Sequence, residues 1–492
     1  MTFSKKLEKL ITGLDISPED TLPKIKALCE GYPKEASGWH VLGGAYLLCG
    51  DRFLAEVYLY KAISLAKRDH LKSSRIWYDL GLVFEGKKAL LKAEAAFKKA
   101  CKLDPLWHAP CYNLGLLYFD RNQDKHAHLY FKKSIALNPD FALGYNNLGV
   151  YYRRKGLLRK ALEYSEKAYR LDPENPLCRT NLSYMRLMFG KFDEAWPLYE
   201  SRFDTPMKWI RPNLATPKWQ GKIRPGIRLF VHHEQGLGDS LQFCRLLYVL
   251  SDAGINVIFQ PQKPLYSLLC HSFASSDIVV VDHIPADDQY DYWTTLLSLP
   301  HFLDLTLEIE PTSGPYLFPP AERVDEMAPY FETSRALKVG LVWQQGVFKF
   351  RHFENNRSIG LREFLHFLSD HRIQFYSFQK TFGLEDLPEF EEQGLIVDMG
   401  KHFETFEDTA AAAAHLDLMI CIDTSVAHLS AGMGVPTWIP LPKSPCWRWV
   451  RHREFSPWYP SVRLFRQKRL DGWDPVFQDI KAGLAELLSG KV

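Results

Sequence analysis

Among its nine cysteines, Cys29, Cys49, Cys101, Cys111, Cys178, Cys244, Cys270, Cys421 and Cys446, the chain has no Cys-x-x-Cys pair. Reduced, buried, cytosolic thiols are the plain reading. No apolar run reaches the ~18 residues that cross a bilayer. The longest candidate, TAAAAAHLDLMICID, is broken by His415 and Asp417. The opening stretch, MTFSKKLEKLITGLDISPED, lacks the apolar core of a secretory signal and reads as a short amphipathic helix. A cytoplasmic protein without membrane insertion is expected. Charge of one sign is lacking too: 61 basic against 58 acidic residues leave a net +3. That field is too weak to recruit nucleic acid, so partners must be recognised locally. Finally, no two aspartates are separated by a single residue. A divalent ion held by an Asp-x-Asp motif is therefore not expected, nor is any other metal or cofactor.

What is present is a repeat. Trp77, Cys111, Tyr145 and Arg179 stand 34 residues apart, and Leu80, Leu114, Leu148 and Leu182 follow in register. Gly81, Gly115 and Gly149 keep the same period, as do Ala93, Ala127 and Ala161, then Phe97, Phe131 and Ser165, then Pro105, Pro139 and Pro173. An earlier unit carries Trp39, Leu42, Gly43, Tyr46 and Ala55. Small residues let two antiparallel helices approach, large ones fill the space between hairpins, and proline ends each second helix.

These marker positions resemble the tetratricopeptide repeat (TPR). The expected superhelix spans residues 1–203, with repeats near 36–69, 74–107, 108–141 and 142–175 and a capping unit at 176–203. Such solenoids present a groove that captures a protein or peptide. The alternatives are a rigid spacer or a surface for homo-oligomer assembly.

After Phe203 the period stops, and the linker 204–225 brings four prolines with Trp209 and Trp219, which suggest that it is pinned down. Short apolar runs then alternate with helical ones: IRLFVHH, INVIFQ, DIVVVD, KVGLVWQ, IQFYSFQ, LIVDMG, LDLMICID and VPTWIPL. Alternation of this kind predicts parallel sheets. Two sets predict two Rossmann-like halves, 226–320 and 337–492, with a ligand between them at the carboxyl ends of the strands.

In the first half, the strand IRLFVHH runs into Glu234-Gln235-Gly236-Leu237-Gly238-Asp239-Ser240 and a helix expected to reach Leu250. The dinucleotide fingerprint is absent. The glycines make a tight turn that lets another molecule approach the backbone, and they project Glu234 and Asp239 toward the cleft. Asp239 reads equally well as a helix cap or a proton acceptor. Of His232 and His233, adjacent on a strand, only one can see the cleft. In the second half, LDLMICID delivers Asp423 to the sheet edge, where Thr424 and Ser425 open a helix whose free N–H groups suit a phosphate. An ordinary cap by Asp423 or Thr424 is the competing account. The segment CWRWVRHREFSPWYPSVRLFRQ reads either as a stacking surface for an acidic ligand or as a clamp packing the tail across both halves.

Gly238-Asp239 in the first half, paired with Asp423-Thr424-x-x-x-His428-Leu429 in the second, resembles the heptosyltransferase family of GT-B glycosyltransferases over roughly residues 226–467. The order of repeats, EQGLGDSLQFCR, GLVWQ, NNRSIGL, DTSVAHLSAGMG and the aromatic tail is similar to bacterial TPR glycosyltransferases, flagellin glycosyltransferases among them. The fold class implied is a TPR solenoid followed by an α/β GT-B domain of two Rossmann-like halves.

The resemblance implies a metal-independent, inverting glycosyltransferase. Asp239 would be the base, with Glu234 and His233 as alternatives. Donor contacts would come from Gly236, Gly238, Gln235, Asp423, Thr424, Ser425 and His428. The family's lysine after the first strand of the second half has no counterpart. Lys349, Arg351 or Arg357 can replace it, and Arg357 is favoured because it directly precedes the apolar run beginning at Ile359. The partners implied are a nucleotide-sugar and an acceptor protein held by the repeats, flagellin and a nonulosonic acid such as pseudaminic acid being one pairing. The competing readings are a noncatalytic adaptor with a decayed transferase half, and a transferase acting on glycan or lipid.

Overall fold

The computed structural model describes residues 2–14, 17–66, 70–205, 212–306, 314–332, 335, 337–346, 357–470 and 472–490. They form two compact units, Met1–Tyr151 and Tyr152–Val492.

Helices come first: α1 Phe3–Leu14, α2 Pro18–Gly31, α3 Ala36–Leu48, α4 Arg52–Leu65, α5 His70–Gly86, α6 Leu90–Leu103, α7 His108–Asp120, α8 Asp124–Leu137, α9 Ala142–Arg154, α10 Leu158–Leu171, α11 Pro176–Met188 and α12 Phe192–Tyr199. The pairs α3 with α4, α5 with α6, α7 with α8 and α11 with α12 form as the 34-residue period predicts, and the pair α1 and α2 precedes the first repeat. The sequence suggests the first of these but gives α2, whose Pro23 interrupts its pattern, no periodic signal.

The glycine positions owe their identity to the partner helix. A Cβ on Gly81 would lie 2.4 Å from the Phe97 ring, one on Gly115 would lie 2.5 Å from Phe131, and one on Gly43 would lie 2.7 Å from Leu59. Ala55, Ala93, Ala127, Ala161 and Ala195 are all fully buried for the same reason of close approach. A polar contact repeats as well: Asn113 donates to the Tyr78 hydroxyl at 2.9 Å, and Asn147 to the Tyr112 hydroxyl at 2.7 Å.

The second unit adds ten strands among the described residues: β1 Arg228–His232, β2 Asn256–Gln260, β3 Val279–Val280, β4 Tyr292–Thr295, β5 Leu337–Val342, β6 Ile373–Ser377, β7 Ile396–Asp398, β8 Leu418–Cys421, β9 Thr437–Leu441 and β10 Val462–Arg466. They build a four-stranded sheet of order β3-β2-β1-β4 and a six-stranded sheet of order β10-β9-β8-β5-β6-β7. Every ladder within them is parallel. The larger sheet has the doubly wound order, and in each sheet the chain changes direction beside its first strand, between β1 and β4 and between β5 and β8. Eight strands coincide with the apolar runs read from the sequence. β4 (YWTT) and β10 (VRLFR) are additional, being too polar or too charged to stand out before their neighbours are known. The helix after β1 is also shorter than expected, stopping at Phe243 and restarting at Leu246. Between the two, Arg245 turns its guanidinium into the interior.

Helices α11 and α12 join the sheets through buried polar contacts. Trp196 donates to the Leu305 carbonyl at 2.8 Å. Arg202, in the turn Glu200–Asp204, is fully buried and forms a two-pronged ion pair with Glu234, Nε to Oε1 at 2.8 Å and an Nη to Oε2 at 2.7 Å. It also donates to Glu200 and Ser298, and Lys218 completes the network through Glu200. The described part of the linker is pinned at Trp219, as the sequence suggests for that residue. Trp219 is buried, its amide donates to the Trp293 carbonyl at 2.8 Å, and its ring meets Phe302 edge-on. Trp209 lies outside the described residues.

Two stability measurements follow from this packing. Gly115→Ala must displace the Phe131 ring, and urea denaturation should show a loss of about 1–3 kcal/mol. Arg202→Met strands a buried carboxylate and should cost about 3–5 kcal/mol. The Arg202→Met/Glu234→Gln double variant should be less destabilised than the sum of the singles, and strict additivity would contradict the pairing.

Candidate functional site

At the carboxyl end of β1 the chain passes through His232 and His233 into the loop 234–239. The two imidazoles stack at 4.3 Å, and burial pushes His232 down to about 4 and lowers His233 as well. His233 is anchored to β2, its amide donating to the Gln260 carbonyl at 3.0 Å with Nδ1 3.2 Å from the same oxygen. Glu234 is enclosed, with both oxygens on Arg202. Gln235 adopts a left-handed φ of 61° and donates to the Tyr199 hydroxyl at 2.8 Å. Asp239 has two jobs: one oxygen accepts the Gly236 amide at 2.8 Å, and the other is paired with the Arg448 guanidinium. It therefore braces its own helix, Leu237–Phe243, from the third position of its first turn.

The larger sheet presents the facing half. β8 ends at Cys421, so Asp423, Thr424 and the helix Ser425–Gly432 emerge at the switch point beside β5. Thr424 occupies the N-cap position but makes no side-chain cap, and its hydroxyl lies 3.2 Å from the Cys421 thiol instead. Asp423 is buried, with Oδ2 2.9 Å from an Nη of Arg357, too poorly aligned for a hydrogen bond. Arg357 does donate to the Asp423 carbonyl at 3.2 Å. The structure thus brings Arg357 to the acidic turn, while Lys349 and Arg351 lie outside the described residues.

The two halves touch here. A Cβ on Gly238 would lie 2.9 Å from His428 and 3.5 Å from the Ser425 Cα. What approaches this glycine is the protein's own helix, which supplies the physical reason for a residue without a side chain. His428 is buried between elements. Its Nδ1 is 2.9 Å from the Tyr459 hydroxyl, its ring stacks on Trp449 at 5.1 Å, and Nε2 is 4.0 Å from Asp423. Burial pushes its pKa down to about 3 in spite of the nearby Asp423 carboxylate. It is a neutral imidazole at physiological pH.

The aromatic tail is a clamp. Trp447, Trp449, Trp458 and Tyr459 are all buried. Trp447 packs on Trp196, Tyr199 and Phe243, and Trp458 stacks on Phe192 at 5.3 Å. Two further arginines belong to the site: Arg448, one of the cations of the tail segment that the sequence singles out, and Arg245, which the sequence reading does not single out. Arg448 joins the tail to Asp239, and its buried Nε has no hydrogen-bond partner among the described residues. Arg245 lies between the Tyr316 and Tyr459 rings, 4.3 and 4.4 Å from their centres, and donates to the Tyr316 hydroxyl at 2.7 Å. Arg245 stands in an apolar segment, where an arginine needs a specific partner; that is the signal that could have found it. Among the described residues, the histidine and carboxylates close enough to share a cation are Glu363, His366 and Asp474, none of which belongs to this cluster. A cavity of about 590 Å³, lined by Leu317, Val324, Leu416, Met433 and Pro436 among others, opens at the opposite, amino ends of β8 and β9.

Residues 74–105, 109–141 and 130–163 match the tetratricopeptide repeat family. The helical hairpins within residues 74–163 are tetratricopeptide repeats. Among curated proteins, Protein FlbA of Caulobacter vibrioides is 26% identical over 324 residues, covering 61% of this chain and 53% of its own length. The chain thus spans about half the length of that relative. The matched share exceeds what the first 203 residues can supply, so the similarity continues into the α/β region. Among solved structures, that of MamA is 25% identical with a TM-score of 0.30, covering 35% of this chain and 96% of MamA. YrrB, described as a TPR protein with an unusual peptide-binding site, is 18% identical with a TM-score of 0.29, covering 37% and 91%. PilF of Pseudomonas aeruginosa is 20% identical with a TM-score of 0.32, covering 35% and 77%. No described helix is long and apolar enough to cross a membrane.

The buried imidazoles set an acid limit on stability. For His428 and His232 the folded pKa lies below the unfolded value, so the unfolded chain binds more protons between about pH 6.5 and the folded pKa. Stability is full above that window and falls on acidification through it, by up to about 1.4 kcal/mol per pH unit for each histidine. Urea midpoints measured from pH 7 to pH 4.5 should fall, and His428→Gln should reduce the slope.

Proposed function

We propose that this protein is a metal-independent, inverting glycosyltransferase of the GT-B type, moving a sugar from a nucleotide-sugar to an acceptor protein held by the TPR groove. The observation that carries the reading is the meeting of two strand-loop-helix corners. Gly238, next to Asp239 beyond the carboxyl end of β1, lies against Ser425 and His428 beyond the carboxyl end of β8. Doubly wound sheets bind ligands at such switch points, and a helix start whose N-cap makes no side-chain bond favours phosphate. Arg357, beside the same turn, supplies a cation for a diphosphate leaving group.

In this reading Arg448 is a shared cation. With no donor bound it holds Asp239. When the phosphates draw its guanidinium away, the carboxylate is released to take the proton of the acceptor hydroxyl as that oxygen attacks the anomeric carbon. Glu234 keeps a positioning role, because removing it from Arg202 would strand a buried cation. His233 can orient the acceptor from the outer side of the same loop. The donor nucleotide is open to a direct assay: thermal shift with UDP, GDP, ADP and CMP should single out one, since a bound ligand raises stability by mass action. Flagellin with a nonulosonic acid remains the acceptor and donor pairing that the repeat-plus-transferase order suggests.

A second reading, a noncatalytic TPR adaptor, draws on a specific observation: both acidic side chains of the β1 loop are already bound to arginines. Asp239→Asn separates the two. Transfer requires that this variant, folded by circular dichroism and still binding the nucleotide, lose turnover by a factor on the order of 10²–10⁴. Undiminished sugar transfer in Asp239→Asn would remove Asp239 as the base, and absence of nucleotide binding in the unaltered protein would favour the adaptor.

A further inference from the structure

The site above leaves unused a pair of thiols in the repeat array. Cys101, in the last turn of α6, and Cys111, in the first turns of α7, bring their Sγ atoms to 3.4 Å. The chain between them is the short connection between consecutive repeats, so both ends are held by packed helices. Cys101 is partly exposed, whereas Cys111 is buried. The two thiols share one hydrogen bond, in which either sulfur can donate, and the nearby Lys133 ammonium favours a thiolate on either of them. The seven other cysteines have no such neighbour among the described residues.

We propose that Cys101 and Cys111 form a redox pair that a small disulfide of the glutathione class oxidises to an intramolecular disulfide. The open side of Cys101 admits the reagent. Its thiolate, formed when the shared proton leaves to solvent, attacks one sulfur of the small disulfide and expels one thiolate. The Cys111 sulfur then attacks Cys101, forming the internal bond and expelling the second small thiolate. Two protein thiols are oxidised, one small disulfide is reduced to two thiols, and the two protons pass to the departing thiolates. The sulfurs must close from 3.4 Å to about 2.05 Å, within reach of small side-chain rotations. The product staples the second helix of one repeat to the first helix of the next, fixing a single joint of the array.

The test equilibrates the full chain with glutathione and its disulfide over a range of ratios, quenches by acid, and maps tryptic peptides without reduction. The expected product joins the peptide containing Cys101 to that containing Cys111 and lacks the mass of two hydrogen atoms. Cys101→Ser and Cys111→Ala should each abolish it, and thermal unfolding of the unaltered chain should shift upward on oxidation. Glutathione adducts on Cys101 and the exposed Cys49 alike, with no internal cross-link at any ratio, would overturn the proposal. So would a cross-link that survives in either variant.

Discussion

The buried pair of Arg202 and Glu234 is the constraint on which the second unit depends. Arg202 comes from the turn that ends the helical hairpins, and Glu234 from the loop that leaves β1. Burying two charges is unfavourable unless each is matched, and here the match is two-pronged and extended by Glu200, Ser298 and Lys218. The consequence is geometric. Once Glu234 is held, Gln235 is forced through a left-handed turn, and Gly236 to Asp239 are set at the start of their helix.

That placement decides what the switch point of the smaller sheet can hold. In a doubly wound sheet this crevice is the natural place for a ligand. Here part of it is filled by a guanidinium from the chain's own helical segment, so the chemistry is pushed outward along the loop to Gly238 and Asp239. They meet the helix Ser425–Gly432 there, and the cluster gains Asp423, Arg357, Arg448 and a neutral His428. A carboxylate bound to one arginine and a second carboxylate beside another make a charge-balanced resting state. Its rearrangement by an anionic ligand is the physical content of the proposed transfer.

The aromatic tail serves this arrangement by packing. Its tryptophans close around Trp196, Tyr199, Phe192 and Phe243, leaving Arg448 to reach Asp239 and Trp449 to stack on His428. The same residues would suit a nucleotide-stacking surface, and only their burial distinguishes the two uses. Clamp and cluster are consequently coupled: displacing the tail would remove Arg448 from the site and leave Arg357.

The sequence by itself determined the elements with a strong internal period. Repeats show because each hairpin must solve the same packing problem, so Gly81, Gly115, Phe97 and Phe131 recur at fixed spacing. Strands β1, β5, β6, β8 and β9 show because strands buried on both faces are apolar runs. The turns at Gly238 and Asp423 were legible for a related reason, since glycine and acidic residues between a strand and a helix are local signals. Tertiary structure alone decided that Glu234 pairs with Arg202, that Asp239 is held by Arg448, and that the neighbour of Gly238 is His428. These partners are separated by 32, 209 and 190 positions. No local pattern encodes such a pairing, because an ion pair or a close contact depends on where the folded chain brings two residues and on the water excluded around them.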